Sequence, residues 1–324
     1  MSKNDVIIVI PCTSWNPMVL ECLIHCDKLD GGPYEAWVLP DSQPGREWQK
    51  KINDLNLSLP FHIEPTGPGN PSRKRNVALR KSEAEIFALI DSDAYPQPDW
   101  LDKALKILNS DSNIGAVAGP NLTPPEDSLS RRVSGRVMES PLGFGKGWIR
   151  HVPSTRQTVN EMPTCNMIIR REGVLFREDL DTGEDMTYCA EIRAKGKSIV
   201  YVPDVVVYHH RRKAPFPFMK QFYEYGLFKG RLARARSGIT YLWQAFPSLF
   251  LIYLTAEVIL FFTPVPVPIK ILSLLPLALY AACALIETVK TVKSSGELLI
   301  VPLLFPAAHI AYGWGYMRGI VSKQ

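Results

Sequence analysis

The chain has 324 residues, of which 46% are hydrophobic and 21% are charged, with a formal net charge of +5 at pH 7. These averages are near those of globular proteins, but they conceal a division that argues against a wholly soluble chain. Residues before about position 203 are mixed and interrupted by polar turns, whereas those from 242 onward are almost uncharged. The six cysteines are scattered, without the spacing of a disulfide framework.

The amino terminus begins with an apolar run that predicts a buried strand rather than a signal peptide. The run at residues 6–10 is five residues long, which is too short for the hydrophobic region of a signal peptide, and Pro11 ends it. We therefore expect the front domain, residues 1–210, to stay in the cytoplasm.

Residues 1–210 alternate between short apolar runs and segments with helical spacing. The runs predict strands at residues 6–10, 35–39, 61–64 and 86–90, followed by others at 164–169, 198–202 and 205–208. The helical patterns lie at residues 16–29, 70–82 and 98–109. This alternation predicts a Rossmann-like, mostly parallel α/β sheet, whose ligands bind at the carboxyl ends of its strands.

Three acids follow predicted strands. Asp41 comes after the second strand, and Asp91 and Asp93 come directly after the fourth. Asp also favours turns and helix caps, which is the ordinary alternative for such residues. Hard divalent cations bind clustered carboxylate oxygens, and the position at strand ends favours a metal or ligand site.

A second pair of acids, Glu184 and Asp185, opens a predicted amphipathic helix. Acids in a first turn commonly complement the helix dipole, so the pair alone does not establish a site. The strand after this helix leads to His209 and His210, of which the first is the better candidate ligand. A structural histidine is the competing interpretation.

Three apolar segments, at about residues 242–262, 269–287 and 298–317, predict membrane spans. The middle segment contains Pro276, so its full crossing stays open. Lys290 and Lys293 follow it, and the positive-inside rule places that loop in the cytoplasm. Three crossings would leave the carboxyl terminus outside. We expect a multi-pass protein of the cytoplasmic (inner) membrane, with residues 239–324 as its transmembrane region.

The linker at residues 211–238 is basic and aromatic, with eight Lys or Arg between positions 211 and 236 against Glu224 as the one acid. Basic aromatic stretches can bind nucleic acids. The position directly before a membrane span instead favours an amphipathic helix in the interface, in contact with the head groups of membrane lipids. We therefore expect no nucleic-acid partner.

With these segments in order, residues 6–225 resemble a family 2 glycosyltransferase with the GT-A fold. VIIVIPCTSW resembles the opening strand, VLPDS the stretch with the acid that holds the nucleotide base, and IFALIDSDAYPQPDW the Asp-X-Asp metal motif. TCNMIIRREGVLF resembles the acceptor-side strand, and GEDMTYCAEIR the Glu-Asp catalytic helix. QFYEYGLFKGR and HIAYGWGYMRG resemble membrane glycosyltransferases of bacteria and archaea that extend lipid-linked saccharides. The Gln-X-X-Arg-Trp motif of processive synthases is missing after Gln221.

The resemblance implies an inverting enzyme that needs a divalent metal, Mn or Mg. Its donor would be a nucleotide-diphosphate sugar, and its acceptor a lipid-linked, polyprenyl-type saccharide in polysaccharide or glycoconjugate assembly. Asp185 would be the general base, and Glu184 would orient the substrate. The resemblance further implies nucleotide-sugar contacts at Pro11, Thr13, Asp41, Arg75, Asp91 and Ser92, metal ligands at Asp91, Asp93 and His209, and acceptor-side residues at Asn166, Gln221 and Tyr225.

Two other functions stay open. One is a polyprenyl-phosphate glycosyltransferase, whose acceptor phosphate is already ionised and has little need of a base. The other is a membrane-anchored protein that binds a nucleotide sugar without catalysis. The intact Asp-X-Asp and Glu-Asp pairs argue against the second, because binding alone requires no base.

Overall fold

The computed structural model describes residues 5–32, 34–180, 182–235 and 241–322. The strands are β1 (Val6–Pro11), β2 (Glu35–Leu39), β3 (Phe61–Ile63), β4 (Ile86–Leu89), β5 (Ala94–Pro96), β6 (Ile114–Ala118), β7 (Asn121–Leu122), β8 (Gln157–Thr158), β9 (Met167–Arg170), β10 (Ser198–Tyr201) and β11 (Val207–His209). The helices are α1 (Pro17–Cys26), α2 (Arg46–Asp54), α3 (Pro71–Lys81), α4 (Trp100–Leu108), α5 (Leu129–Met138), α6 (Pro141–Phe144), α7 (Glu184–Ala194), α8 (Phe216–Arg234), α9 (Phe246–Phe261), α10 (Val267–Ser273), α11 (Leu275–Thr291) and α12 (Ser295–Val321).

The chain forms two compact units. The first contains Met1–Pro124 and Ile149–His210, and the second contains Pro125–Trp148 and Arg211–Gln324. Residues 125–148 thus belong to the same unit as the C-terminal helices. No hydropathy pattern in that stretch indicates this grouping. The reason is a shared apolar core, in which α5 packs with α8 and α12 of the same unit. The domain boundaries expected from the sequence remain a prediction.

The first unit is built on an eight-stranded sheet in the order β3-β2-β1-β4-β9-β6-β10-β8. The pairs β1–β2, β1–β4, β2–β3 and β6–β10 are parallel, whereas β9 runs antiparallel to both neighbours and β8 runs antiparallel to β10. A smaller sheet has the order β5-β11-β7. The predicted mostly parallel α/β sheet is confirmed.

Both faces of the large sheet are covered, which explains the uninterrupted apolar runs of its central strands. Every residue of β1 is buried. Ile8 and Ile10 face the core on the side of α1 and α4, while Ile7 and Val9 face the core on the other side. This alternation follows from the two-residue repeat of a strand. The parallel pairing of β1 with β2 and β4 brings the carboxyl ends of these strands to one edge.

In the described part of the second unit, three helical segments are long and apolar enough to cross a membrane: Leu242–Phe261, Val267–Thr291 and Ser295–Val321. They match the three predicted spans. The middle segment is the most apolar of the three, with a mean hydropathy of 2.1, compared with 1.6 and 1.5 for the other two. The α8 helix covers most of the predicted basic linker. The rest of that prediction at residues 236–238, and the last two residues of the chain, lie outside the described residues.

Candidate functional site

The site begins at the carboxyl ends of β1 and β2, where Asp41 is held by a buried cation. The Asp41 backbone N–H donates to the Thr13 carbonyl at 3.2 Å. Lys74, which is 1% exposed in the first turn of α3, donates to the Asp41 carboxylate at 2.5 Å and to the Thr66 hydroxyl at 2.8 Å. Pro11 beside them is buried, and Thr13 is exposed. Asp41 is therefore oriented at the edge of the sheet, as its sequence position predicts.

Arg75, the next residue of α3, joins two acids that are far apart in the sequence. Its guanidinium donates to Asp91 at 2.8 Å and to Glu184 at 3.3 Å. The side chain is 2% exposed. A buried guanidinium needs such partners, because an unpaired buried charge is strongly unfavourable. The helix is fixed there by Asn70, whose side chain accepts from the backbone N–H of Arg73 at 3.1 Å.

Asp91, Asp93 and His209 form a group that can hold a metal ion. Each offers one ligand atom, and these three atoms all lie within 4.8 Å of one another. The antiparallel register of β11 with β5 pairs His209 with Ala94, and it brings His209 Nε2 to 3.1 Å from Asp93 Oδ1. All three ligand residues, and Ser92 between the acids, are partly exposed. Two carboxylates and an imidazole are a suitable ligand set for a divalent cation such as Mn²⁺ or Mg²⁺.

His210 has a different neighbour from His209. Its Nε2 lies 2.8 Å from Glu21 Oε2 on α1, and its backbone N–H donates to the Asp93 carbonyl at 3.0 Å. Neighbouring residues of a strand point to opposite sides, which separates the two histidines. His210 therefore links the segment that contains Asp93 to α1 and does not join the metal-binding group.

Glu184 and Asp185 form the first turn of α7. Gly183 precedes the helix with a φ of 82°, a left-handed conformation that favours glycine. The Asp185 carboxylate accepts from the Met186 backbone N–H at 2.7 Å. Burial, followed by the nearby negative charge of Glu184, raises the pKa of Asp185 to about 6. A carboxyl group with such a pKa can accept a proton near neutral pH.

A second ion pair, Arg150 with Glu161, influences Asp185. Arg150 Nη2 donates to Glu161 Oε1 at 2.6 Å. The positive charge of Arg150 lowers the pKa of Asp185, and the negative charge of Glu161 raises it. No sequence pattern indicated this pair, because neither residue belongs to a motif. Only the fold brings their charges near α7.

Asn166 is the first of the three acceptor-side predictions. Asn166 is fully buried, and its amide donates to the carbonyls of Pro120 at 2.9 Å and Val205 at 2.8 Å. Its side-chain oxygen accepts from Trp100 Nε1 at 2.7 Å. These contacts join Asn166 to α4 and to the segments that follow β6 and β10. Its contact with an acceptor stays a prediction.

Gln221 and Tyr225, the other two acceptor-side predictions, lie in the second unit. They are one turn apart on α8, and Gln221 Nε2 donates to the Tyr225 hydroxyl at 2.9 Å. This bond fixes both side chains on one face of the helix. Their contact with an acceptor stays a prediction.

Residues 7–182, which contain the strand-end acids, match the family model described as glycosyl transferase family 2. The chain belongs to this family. It is a family 2 glycosyltransferase.

The glycosyltransferase resembles curated archaeal enzymes. It is 22% identical to the dolichyl N-acetyl-alpha-D-glucosaminyl phosphate 3-beta-D-2,3-diacetamido-2,3-dideoxy-beta-D-glucuronosyltransferase of Methanococcus voltae, and the match covers 98% of each chain. It is 24% identical to glycosyltransferase AglE of Haloferax volcanii, over 66% of this chain and 70% of that protein. The name of the first of these relatives refers to a dolichyl-linked sugar phosphate.

Among solved structures, the glycosyltransferase resembles the mannosyltransferase PcManGT from Pyrobaculum calidifontis, with a TM-score of 0.56 and 16% sequence identity. The match covers 99% of this chain and 88% of that one. At this identity the likeness concerns the fold, and it confirms the GT-A architecture predicted from the sequence.

Proposed function

We propose that this protein transfers a sugar, with inversion, from a nucleotide-diphosphate sugar to a lipid-linked saccharide, and that it requires a divalent metal. One observation carries the proposal. Arg75 holds Asp91 of the metal-binding group and Glu184 of the α7 acid pair at the same time. A donor held by the first group therefore lies beside the acids of the second, as a displacement at one carbon requires.

On the donor side, Asp91, Asp93 and His209 would hold the cation. When bound, the cation offsets the negative charge of the departing diphosphate. The solved mannosyltransferase is in complex with GDP-Man and Mn²⁺, and an imidazole ligand favours Mn over Mg. Asp41, oriented by Lys74, would contact the base of the nucleotide, with Pro11, Thr13 and Ser92 lining the same edge.

On the acceptor side, Asp185 would take the proton. The hydroxyl oxygen of the acceptor forms its bond to the anomeric carbon while the bond from that carbon to the diphosphate breaks. The hydroxyl proton moves to the Asp185 carboxylate, whose raised pKa suits this role. Attack from the face opposite the leaving group inverts the anomeric centre without a covalent enzyme intermediate. Glu184, held by Arg75, would orient the substrate.

The acceptor class is supported by the relatives and by the second unit. The name of the Methanococcus voltae relative includes a dolichyl-phosphate-linked sugar, and that match covers nearly all of both chains. Three helical segments of this chain are apolar enough for a membrane. We propose a multi-pass membrane protein whose first unit is cytoplasmic and whose acceptor is anchored in the same membrane.

The test uses the full chain purified into lipid vesicles. A panel of nucleotide sugars is offered with Mn²⁺ or Mg²⁺, and a lipid extract from the source cells serves as the acceptor. Metal-dependent transfer to a saccharide lipid is expected. A parallel reaction offers bare polyprenyl phosphate. Efficient transfer to that phosphate, with none to saccharide lipids, would contradict the proposal and support the polyprenyl-phosphate alternative.

A further inference from the structure

We propose that α12 lies along the membrane surface beside α8, and that its exposed apolar face contacts the lipid head-group region. Only the hairpin of α9 with α10 and α11 would then cross the bilayer. Residue 322 would lie on the side from which α9 enters. The proposal rests on the membrane location given above but not on the sugar-transfer reaction, and its tests do not measure transfer.

The first observation is that α8 and α12 touch through their backbones. A Cβ added at Gly315 would lie 2.1 Å from the Tyr223 carbonyl oxygen, and one added at Gly319 would lie 2.2 Å from the Leu227 carbonyl oxygen. Small residues permit this close approach of helices. The two contacts are four residues apart on each helix and advance in the same direction, so α8 and α12 run parallel.

The pairing extends along nearly all of α8. Near its start, Phe218 and Phe222 share a core with Phe305 of α12. At its end, Arg234 donates to the Ser322 carbonyl at 2.6 Å. A helix of 19 residues is about 28 Å long, so α8 accompanies α12 over most of a bilayer thickness.

The α8 helix carries too many charges to accompany α12 through a bilayer. The charged residues occur in every part of the helix: Lys220, Glu224, Lys229, Arg231 and Arg234. The side chain of Lys220 is 77% exposed and that of Glu224 is 50% exposed. Charges on a spanning helix are rare because the hydrocarbon cannot solvate them. A basic amphipathic helix instead lies in the interface, where anionic head groups attract Lys and Arg.

The beginning of α12 is also held by polar side chains. Glu297 is 1% exposed and accepts from the Nε atoms of Arg132 at 3.0 Å and Arg136 at 3.1 Å, both on α5. Further along, His309 Nε2 lies 2.9 Å from the Leu142 carbonyl oxygen of α6. Helices with charged residues therefore flank α12 at its start as well as in its second half.

The opposite side of α12 is apolar and exposed. Leu299, Leu303, Trp314 and Val321 are large and uncovered, in contrast to the buried Glu297 side of the helix. Of the most apolar 18-residue stretch of α12, 39% is buried by the rest of the protein. The corresponding share for the segment that contains α9 is 11%. A helix that exposes one apolar face and packs its other face on helices that carry charged residues is suited to the plane of the interface.

The position of α9 supports the membrane as the occupant of this face. Ser248, in the first turn of α9, donates through its hydroxyl to the Gly313 carbonyl at 3.1 Å. A Cβ at Gly313 would lie 2.4 Å from the Pro247 carbonyl oxygen. The start of α9 thus meets α12 directly, at the level where the chain would enter the bilayer.

The first test measures which side of the membrane each segment faces. Cys283 is the exposed cysteine and is changed to Ala; the other five are buried. Single cysteines are then introduced as S322C at the end of α12, S112C as a marker in the first unit, and P264C between α9 and α10. Inverted and right-side-out vesicles are treated with a membrane-impermeant maleimide. Labelling of S322C in the same vesicles as S112C, opposite to P264C, is expected. Labelling of S322C together with P264C would overturn the proposal.

The second test measures depth. Spin labels are attached at L299C, L303C, W314C and V321C in the same background, and collisions with oxygen and with a water-soluble nickel chelate are compared. These sites extend over about 33 Å of helix. We expect one common, shallow depth. A depth that rises and falls from the first site to the last would show that α12 crosses. Labels that meet no lipid would assign the face to a protein contact. Either result would overturn the proposal.

Discussion

The Arg75 guanidinium donates to the Asp91 carboxylate at 2.8 Å, and its other nitrogen donates to Glu184 at 3.3 Å. One buried cation on α3 thereby connects an acid that follows β4 with an acid that begins α7. This cation offsets the negative charge of two carboxylates in a half-buried site. The connection makes the geometry of the donor group depend on that of the catalytic helix.

We expect the substitution Arg75→Met to weaken donor binding and reduce turnover together. Breaking a buried ion pair typically costs about 3–5 kcal/mol, and the partial exposure of Asp91 places the expected loss of unfolding free energy near the lower end. Denaturant titration and calorimetric nucleotide binding measure the two effects. The control is Arg80→Met on the same helix, whose ion pair with Glu178 is exposed and contributes about 0–1 kcal/mol. Equal effects of the two substitutions would contradict the connecting role.

The substitution Asp93→Asn tests the metal-binding group. It removes one ligand charge but keeps the shape, so nucleoside diphosphate should bind no more tightly with Mn²⁺ than without it. Calorimetric titrations with and without Mn²⁺ measure the difference. Asp54→Asn, at an exposed position of α2, is the matched control. If Asp93→Asn keeps a normal metal-dependent affinity, Asp93 is not a ligand.

The substitution Asp185→Asn should leave donor binding within a few-fold of the wild type and lower turnover by about 10²–10⁴-fold, which is the usual contribution of a general base. Single-turnover assays with the lipid-linked acceptor measure it. Glu191→Gln removes an exposed carboxylate from the same helix and should change little. Near-normal turnover of the Asp185 variant would point to an acceptor that is already ionised.

The pH dependence of turnover follows from the pKa of Asp185, which is raised to about 6. A base works only when deprotonated, so turnover should fall as the pH decreases below about 6, compared with about 4 for an ordinary Asp. Arg150→Met removes a positive charge that lowers this pKa, so the acidic limb should move to higher pH. If the Arg150→Met variant binds donor normally and the acidic limb of its pH profile does not move, Arg150 does not influence the pKa of Asp185.

The packing of α8 against α12 predicts a contrast between two glycines of α12. Gly315→Ala would place a Cβ 2.1 Å from a carbonyl oxygen, whereas the nearest atom to a Cβ at Gly296 is a leucine methyl group at 3.6 Å. We expect Gly315→Ala to lower the unfolding free energy by at least the roughly 1–3 kcal/mol typical of overpacking. Gly296→Ala should be neutral or slightly stabilising, because Ala favours helix more than Gly by about 1 kcal/mol. Thermal unfolding in detergent measures both, and equal melting temperatures would contradict the backbone contact.

The sequence by itself determined the class of the fold and the positions of the strand-end acids. The reason is local: a strand covered on both faces must be a continuous apolar run, and the polar residue that ends it must lie at the edge of a parallel sheet. Asp41 and Asp91 were therefore predictable. The apolar length of the three C-terminal segments was predictable for the same reason, since length and composition are properties of the chain.

Only the tertiary structure decided which of these residues meet. Arg75 is 109 residues from Glu184, and the buried amide of Asn166 donates to the carbonyls of Pro120 and Val205, which no sequence pattern indicated. Arg150 and Glu161 have no motif, and hydropathy does not indicate that the glycines of α12 contact the backbone of the charged helix α8. Contacts of this kind depend on how distant segments pack, and burial with a specific partner sets the charge, orientation and surroundings of each side chain.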